Sequence, residues 1–188
     1  MWSEKLHVGV PYCKILKGKK TMKIEDIFLE DQGEFDKLQQ FMMGPIFPWF
    51  YNDNIDSHDD VDKFQFIHIF LQKYMPNQFM NLLGPIIELI NPVSIWRIKA
   101  NLLNRTPNIV ENIFHVDMGD ISEEKLKQWT TSIFYVNTNN GYTEFEDGTK
   151  VESVANRMVT FPANMKHRGT SCTDEKRRVV INFNYYTL

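Results

Sequence analysis

The residue pattern of this chain of 188 residues changes near residue 92, and that change sets its fold class. After that point, β-branched and aromatic residues alternate with polar ones at a period of two, which is typical of half-buried strands. Strands are predicted at residues 95–103, 113–117, 132–137, 143–146, 158–161 and 178–186. The Asn139-Asn140-Gly141 sequence between two of them predicts a hairpin turn. Short strands in such a series form antiparallel sheets.

The first half of the chain shows helical spacing instead. Residues 34–43, 60–74 and 77–90 predict three helices, the last with a kink at Gly84-Pro85. His68 falls in the second of them, where we expect it to pack in the core. Helices first and strands after predict an α+β protein. We expect a double-stranded β-helix, or jelly roll, with the N-terminal helices packed on one sheet.

Length and composition add few constraints. The length predicts one domain, with residues 1–91 mainly as helical support and residues 92–188 as the jelly-roll core. The net charge is −3 and basic residues are dispersed apart from those at 17–20, so no nucleic-acid partner is expected. No apolar run is long enough to span a membrane, so we do not expect a membrane among the partners. Two cysteines, Cys13 and Cys172, favour a reduced, cytoplasmic setting, or the host cytoplasm if the chain is viral, with one bridge between them as the alternative.

One motif in the strand-rich half carries chemistry. His115 and Asp117 stand two residues apart, so in an extended strand an imidazole and a carboxylate point to the same side. His167 follows 50 residues after Asp117 (167 − 117 = 50) and supplies a second imidazole from a later part of the roll. Two histidines and one carboxylate form the facial triad that holds non-haem Fe(II) and leaves coordination positions open. The sequence therefore predicts an iron site with His115, Asp117 and His167 as its ligands.

At these residues the chain resembles the Fe(II)/2-oxoglutarate-dependent oxygenases, in particular the prolyl-4-hydroxylase-like branch and its small members from tailed phages. The resemblance spans residues 95–188 and rests on His115-Val116-Asp117, Ile133-Phe134-Tyr135-Val136-Asn137, Phe161-Pro162-Ala163, His167-Arg168-Gly169 and Arg178. It implies a catalytic site with Fe(II), 2-oxoglutarate as co-substrate, O2, and ascorbate as a reductant. The implied reaction converts 2-oxoglutarate to succinate and CO2 while a substrate carbon is hydroxylated.

The resemblance also implies a basic residue beyond the distal histidine that binds the C5 carboxylate of 2-oxoglutarate. Arginine suits this role because its planar guanidinium makes two charge-assisted hydrogen bonds and stays protonated. Counting favours Arg177 (177 − 167 = 10), whereas strand alternation puts Arg178 on the polar face and Arg177 on the apolar face. We therefore predict Arg178, with Arg177 as the alternative. Tyr135 is predicted as a second contact to this carboxylate, with a core tyrosine as the alternative.

The sequence constrains the substrate less than the cofactors. A peptide or protein substrate hydroxylated at proline follows only from the branch that the chain resembles. Residues 44–60 are rich in aromatic and polar side chains, which fit either a lid over the site or an anchored loop. Two other classes stay open: a non-catalytic metal-binding module of cupin type, and a viral structural or interaction protein that binds no metal.

Overall fold

The computed structural model describes residues 21–55, 63–119 and 121–188, so Cys13 and the basic residues at 17–20 lie outside the described residues. Cys172 is buried. In the described part of the chain, no helix is both long enough and apolar enough to cross a membrane.

Strands dominate the fold. In chain order the elements are β1 (Lys23–Glu25), α1 (Gln32–Met43), β2 (Phe50–Asn52), β3 (Gln65–Gln72), β4 (Met75–Pro76), a 3-10 helix (Met80–Leu83), α2 (Gly84–Ile90), β5 (Ser94–Asn104), α3 (Glu123–Leu126), β6 (Trp129–Tyr135), β7 (Tyr142–Phe145), β8 (Lys150–Glu152), β9 (Arg157–Pro162), β10 (His167–Gly169) and β11 (Arg177–Tyr186). The large sheet has the order β1-β9-β6-β11-β5-β3-β2, with β4 paired to β3, and the small sheet has the order β10-β7-β8. The pairs are antiparallel, and the two sheets form the predicted jelly roll.

Helices α1 and α2 cover the outer face of the large sheet, as predicted. Asp31 caps the start of helix α1, where its side chain accepts hydrogen bonds from two backbone N–H groups of the first turn. The apolar side of α1 packs in one core with α2 and with the central strands. This core includes Phe35, Leu38 and Met42 of α1, Ile86 of α2, and Ile98, Phe134 and Ile181 of the strands. A second core fills the space between the sheets and consists of Ile133, Tyr135, Phe145, Val151, Val159, Phe161 and Val180. The helices therefore pack on one face of the large sheet, and the space between the two sheets is left for a binding site.

The prediction of a helix at residues 60–74 is wrong. Residues 65–72 form strand β3 instead, which pairs with β5 along most of its length. Most side chains of β3 are buried or half-buried, and they lie on both faces of the strand. The sequence of such a strand is almost continuously apolar, so the spacing of its apolar residues does not distinguish a strand from a buried helix. The described part of residues 1–91 therefore contributes β1, β2, β3 and β4 to the large sheet in addition to α1 and α2.

Two further local predictions need correction. Gly84-Pro85 does not kink a helix, because Gly84 begins α2 and the proline lies in the first turn, where no backbone N–H is needed. Asn139-Asn140-Gly141 does not close a hairpin, because β6 and β7 belong to different sheets. A Cβ atom at Gly141 would lie 2.6 Å from the Ser171 carbonyl oxygen and 2.7 Å from Arg178 Cδ. Glycine is needed there for close packing rather than for a turn.

His68 packs in the core as expected, although it lies on a strand. It is buried among aromatic rings, which include those of Phe47 and Phe70. Its Nδ1 lies 2.7 Å from the Pro48 carbonyl oxygen and its Nε2 lies 2.7 Å from Asn77 Nδ2. The carbonyl accepts and the amide donates, so this arrangement requires a neutral imidazole. Burial lowers the pKa of His68, and the hydrogen bond to Pro48 opposes that shift only in part.

We expect acid to destabilise the fold through His68. Its pKa is lower in the folded chain than the ordinary value of 6.5, so the unfolded chain binds this proton first as the pH falls. The stabilisation is complete above the unfolded-state pKa and is lost as the pH falls toward the folded-state value. Denaturant unfolding between about pH 7 and about pH 5 should show a steeper loss in the wild type than in His68→Gln. Parallel pH profiles for the two proteins would contradict this prediction.

Candidate active site

The three predicted metal ligands lie together at one end of the roll. Each offers one ligand atom, and the three atoms lie within 4.8 Å of one another. The rings of His115 and His167 are 5.0 Å apart, and His115 Nε2 is 3.9 Å from Asp117 Oδ1. Two imidazoles and one carboxylate on one side of a cavity match the donor set that binds non-haem Fe(II). The residues present therefore fit the metal that the sequence predicted.

Backbone carbonyls orient both imidazole rings. His115 Nδ1 lies 3.0 Å from the carbonyl oxygen of Ile113, and His167 Nδ1 lies 3.2 Å from that of Met165. Because a carbonyl can only accept, each Nδ1 carries the proton and each Nε2 carries the lone pair. This tautomer presents Nε2 as the metal-binding atom of both histidines.

The segment that carries His115 and Asp117 is not the regular strand that the sequence predicted. It pairs with the end of the small sheet through two isolated bridges, Glu111 with Thr170 and His115 with His167. The two histidines exchange both backbone hydrogen bonds, with N–H to oxygen distances of 2.9 and 3.0 Å. Directly paired residues share one side of a ladder, so this bridge aligns two of the three ligands. A turn at residues 117–119 then carries the carboxylate into the site.

The Asp117 carboxylate is buried and surrounded by donors from the large sheet. Asn184 Nδ2 donates to Oδ2 at 2.9 Å, Asn182 Nδ2 lies 3.5 Å from both oxygens, and an Arg97 guanidinium nitrogen lies 3.3 Å from Oδ1. Burial by itself would raise the pKa of Asp117, but its electrostatic interactions with the neighbouring His167 and with the Arg97 guanidinium hold that pKa well below its usual value. Asp117 is therefore an anionic ligand at neutral pH.

Arg178 is buried in the cavity that the triad also lines, with 2% of its surface exposed. Its Nε donates to Ser153 Oγ at 2.8 Å and a terminal nitrogen donates to Thr143 Oγ1 at 3.2 Å. Burial lowers its pKa, yet an arginine stays protonated at neutral pH. Among the described residues, no carboxylate forms an ion pair with it. A buried cation held only by hydroxyl groups is suited to bind an anionic ligand.

Arg177 lies on the opposite face of β11. Its guanidinium donates to the carbonyl oxygen of Met43, at the end of α1. The alternation of β11 thus directs one arginine to the helices and the next into the roll. The structure places Arg177 away from the cavity that contains the triad.

Tyr135 is fully buried in the core between the sheets. Its hydroxyl donates to Thr143 Oγ1 at 2.8 Å, and its ring lies 5.7 Å from the guanidinium of Arg178. Burial raises the pKa of Tyr135, while the nearby charge of Arg178 opposes that shift. Thr143 lines the cavity and accepts hydrogen bonds from both residues, so Tyr135 reaches the cavity through the Thr143 hydroxyl.

Several residues of the site were not predicted from the sequence as functional. Arg97, Asn182 and Asn184 surround Asp117. The sequence places them on polar strand faces but does not show that they contact Asp117. Spacing alone could not assign Asn101 a face, and the structure places it in the cavity wall. Asn101 Oδ1 and Asn182 Oδ1 are buried there and have no hydrogen-bond partner within the described ranges. These two oxygens provide acceptors for a bound molecule or for water.

The segment considered as a lid is partly anchored. Phe47 is buried in the core beneath the helices, and residues 50–52 form β2 at the edge of the large sheet. Ile55 reaches the cavity wall, and residues 56–60 lie outside the described residues. Phe47 therefore anchors this segment in the core, and β2 attaches it to β3.

No family model matches the sequence, and no curated protein matches it. Solved structures match in fold. The α-ketoglutarate-dependent epimerase SnoN from nogalamycin biosynthesis has a TM-score of 0.64 at 12% identity, over 89% of this chain and 78% of that one. The viral collagen prolyl hydroxylase of Paramecium bursaria Chlorella virus-1, in complex with 2-oxoglutarate, has a TM-score of 0.58 at 15% identity, over 90% and 97%. A Trichoplax adhaerens prolyl hydroxylase with a hypoxia-inducible-factor peptide has a TM-score of 0.59 at 14% identity, over 88% and 83%.

Fold and site agree with the metal-binding jelly roll predicted from the sequence. The jelly roll is that of the Fe(II)/2-oxoglutarate oxygenases, and prolyl hydroxylases are among its structural neighbours. The facial triad of that class is intact at His115, Asp117 and His167. At 12 to 15% identity, the likeness to these neighbours concerns the fold.

Proposed function

We propose that this chain is an Fe(II)- and 2-oxoglutarate-dependent dioxygenase that hydroxylates an organic substrate. The observation that carries this proposal is the pairing of a facial triad with the buried Arg178 in one cavity. A metal site alone would also suit a non-catalytic cupin-like module. Arg178 is a buried cation in the same cavity and has no carboxylate partner in the described part of the chain. It therefore adds a binding site for an anionic ligand beside the metal site.

Each residue has a distinct role in this proposal. His115, Asp117 and His167 hold Fe(II), which together with 2-oxoglutarate and O2 supplies the oxidising chemistry when bound. Arg178 binds the C5 carboxylate of 2-oxoglutarate through two charge-assisted hydrogen bonds. Thr143 fixes the guanidinium, and Tyr135 holds the Thr143 hydroxyl in place. Arg177 has no role in binding because its side chain faces α1.

The cavity walls support the same assignment. Leu103, Ile133 and Val180 supply apolar surface to the cavity that Arg178 and the triad also line. Apolar walls exclude water from a bound co-substrate and strengthen the charged contacts at its two ends. The chain's own contribution is therefore to hold iron, co-substrate and substrate carbon in a fixed relation.

For the substrate, we propose a peptide or protein that is hydroxylated at proline. Two structural neighbours are prolyl hydroxylases, and one of them is seen with a peptide fragment. The cavity wall includes the amide side chains of Gln65 on β3 and Asn101 on β5. Amide side chains of this kind can hydrogen-bond to the backbone of an extended peptide.

A turnover experiment tests both parts of the proposal. With Fe(II), ascorbate, 2-oxoglutarate and air, the wild-type protein should release succinate, and a proline-rich peptide should gain one oxygen atom per succinate formed. Mass spectrometry with fragmentation should locate that oxygen on a proline ring. The activity should vanish in His167→Ala, because a triad with one imidazole missing does not retain iron.

The outcomes separate the two parts. Succinate release with oxidation confined to a small metabolite would reject the peptide substrate and keep the oxygenase. An iron-loaded protein that consumes no 2-oxoglutarate with any tested substrate would instead favour the non-catalytic module.

A further inference from the structure

A chain of polar contacts leads from β5 through β11 to Asp117. Arg97 on β5 donates from Nε to Asn184 Oδ1 at 3.2 Å, across the strand pair in which these two residues are direct partners. Asn184 Nδ2 donates to Asp117 Oδ2 at 2.9 Å and to Thr131 Oγ1 at 3.1 Å. A terminal nitrogen of Arg97 also donates to the backbone oxygen of Asp117 at 3.1 Å. The contacts thus fix both the side chain and the backbone of one metal ligand.

Arg97 determines which way the Asn184 amide faces. A guanidinium can only donate, so the Asn184 oxygen must face Arg97 and the amide nitrogen must face Asp117. Asn184 is fully buried, which leaves its amide no solvent to turn toward. The donor aimed at Oδ2 is therefore set by a neighbouring strand rather than by Asn184 alone.

The two oxygens of Asp117 consequently have different surroundings. Oδ2 is engaged by Asn184, whereas Oδ1 is the oxygen that lies 3.9 Å from His115 Nε2. Arg97 lies 3.3 Å from Oδ1, but a carboxylate oxygen has two lone pairs and can accept a hydrogen bond while it binds a metal. These contacts favour Oδ1 as the oxygen that faces the metal site.

We propose that Arg97 and Asn184 are positioning residues that make Asp117 a ligand through one oxygen. This inference rests on the proposed function, because it concerns the same iron site. Ligation through one oxygen leaves three positions on the iron, two for 2-oxoglutarate and one for O2, whereas ligation through both oxygens removes one of them. The pair therefore protects co-substrate binding as well as metal binding.

The test is a double-mutant cycle with Fe(II) alone as the probe, measured under anaerobic conditions. Asn184→Leu and Arg97→Ala should each weaken Fe(II) binding by about 10- to 100-fold, the usual effect of removing a partner of a metal ligand. The double variant should be much less impaired than the product of the two single effects, because both residues act through one contact. At saturating Fe(II), the single variants should also show a weaker visible charge-transfer absorption when 2-oxoglutarate is added.

Arg157→Ala is the matched control. Its side chain is 18% exposed against 19% for Arg97, and it also joins two elements through an ion pair, in this case with Asp26. Arg157→Ala should lose thermal stability and keep Fe(II) affinity and the absorption band. If Asn184→Leu does not fold, Arg97→Ala carries the test alone.

The failures are distinguishable. Wild-type protein that binds no Fe(II) would contradict the proposed function. Wild-type affinity and a wild-type absorption band in folded Asn184→Leu or Arg97→Ala would overturn the positioning role, since a purely structural pair would change only thermal stability.

Discussion

Replacement of Asp117 by alanine should reduce bound Fe(II) from about one ion per chain to none. Asp117 is the only anionic ligand of the triad, and its carboxylate stays charged because His167 and Arg97 lie beside it. Without it, two neutral imidazoles face a buried site in which the charge of Arg97 has lost its counterion. Anaerobic loading followed by metal analysis measures the effect, and succinate release should be lost in parallel.

Asp26→Ala is the control for the loss of a carboxylate. Asp26 forms an ion pair with Arg157 at the edge of the large sheet and takes no part in the triad. That variant should bind iron as the wild type does, while His115→Ala and His167→Ala should resemble Asp117→Ala. Full retention of iron by folded Asp117→Ala would falsify the metal-site assignment.

Replacement of Arg178 by alanine should weaken 2-oxoglutarate binding by about 1.5 to 3 kcal/mol, the scale of a lost hydrogen bond to a charged group. This corresponds to about a 10- to 150-fold rise in Kd. Iron should stay bound, because Arg178 contacts Ser153 and Thr143 rather than any ligand of the triad. Titration of the iron-loaded protein with 2-oxoglutarate under anaerobic conditions gives the affinity.

The neighbouring arginine provides the matched control. Arg177→Ala removes the same charge from the adjacent position of β11, but its side chain donates to the end of α1. We expect this variant to lose some stability and to keep its affinity for 2-oxoglutarate. A larger loss of 2-oxoglutarate affinity in Arg177→Ala than in Arg178→Ala would mean that the two strand faces have been assigned the wrong way round.

The site was more predictable than the elements around it. His115 and Asp117 could be recognised because a spacing of two residues needs only locally extended backbone, which the isolated bridge at His115 provides. Arg178 could be assigned a face because Asn182 and Asn184 share its parity in the sequence, whereas apolar residues share that of Arg177. Residues 65–72 could not be recognised as a strand, because a segment buried on both faces loses the period that separates strand from helix.

Contacts between distant strands were beyond the reach of sequence reasoning. Nothing local links Asn184 to Asp117, which lies 67 residues away, or Tyr135 to the shared hydroxyl of Thr143. These contacts depend on how the strands are arranged in space: β11 lies between β5 and β6, whereas Tyr135 and Thr143 lie on different sheets. The hairpin predicted at Asn139-Asn140-Gly141 failed for the same reason, since the chain crosses there from one sheet to the other.

The bridge between His115 and His167 also means that a bound metal ion would be a ligand of the folded state. Two of the three predicted iron ligands lie on the connection between β5 and β6, whose described residues form two isolated bridges to the roll, and the third lies on β10. Iron bound to all three would therefore cross-link this connection to the small sheet. An ion that binds only when the three ligands are together shifts the folding equilibrium of this connection toward that arrangement. Part of the binding free energy of iron would then stabilise the folded connection. The amount of bound metal and the degree of order of this connection should therefore change together.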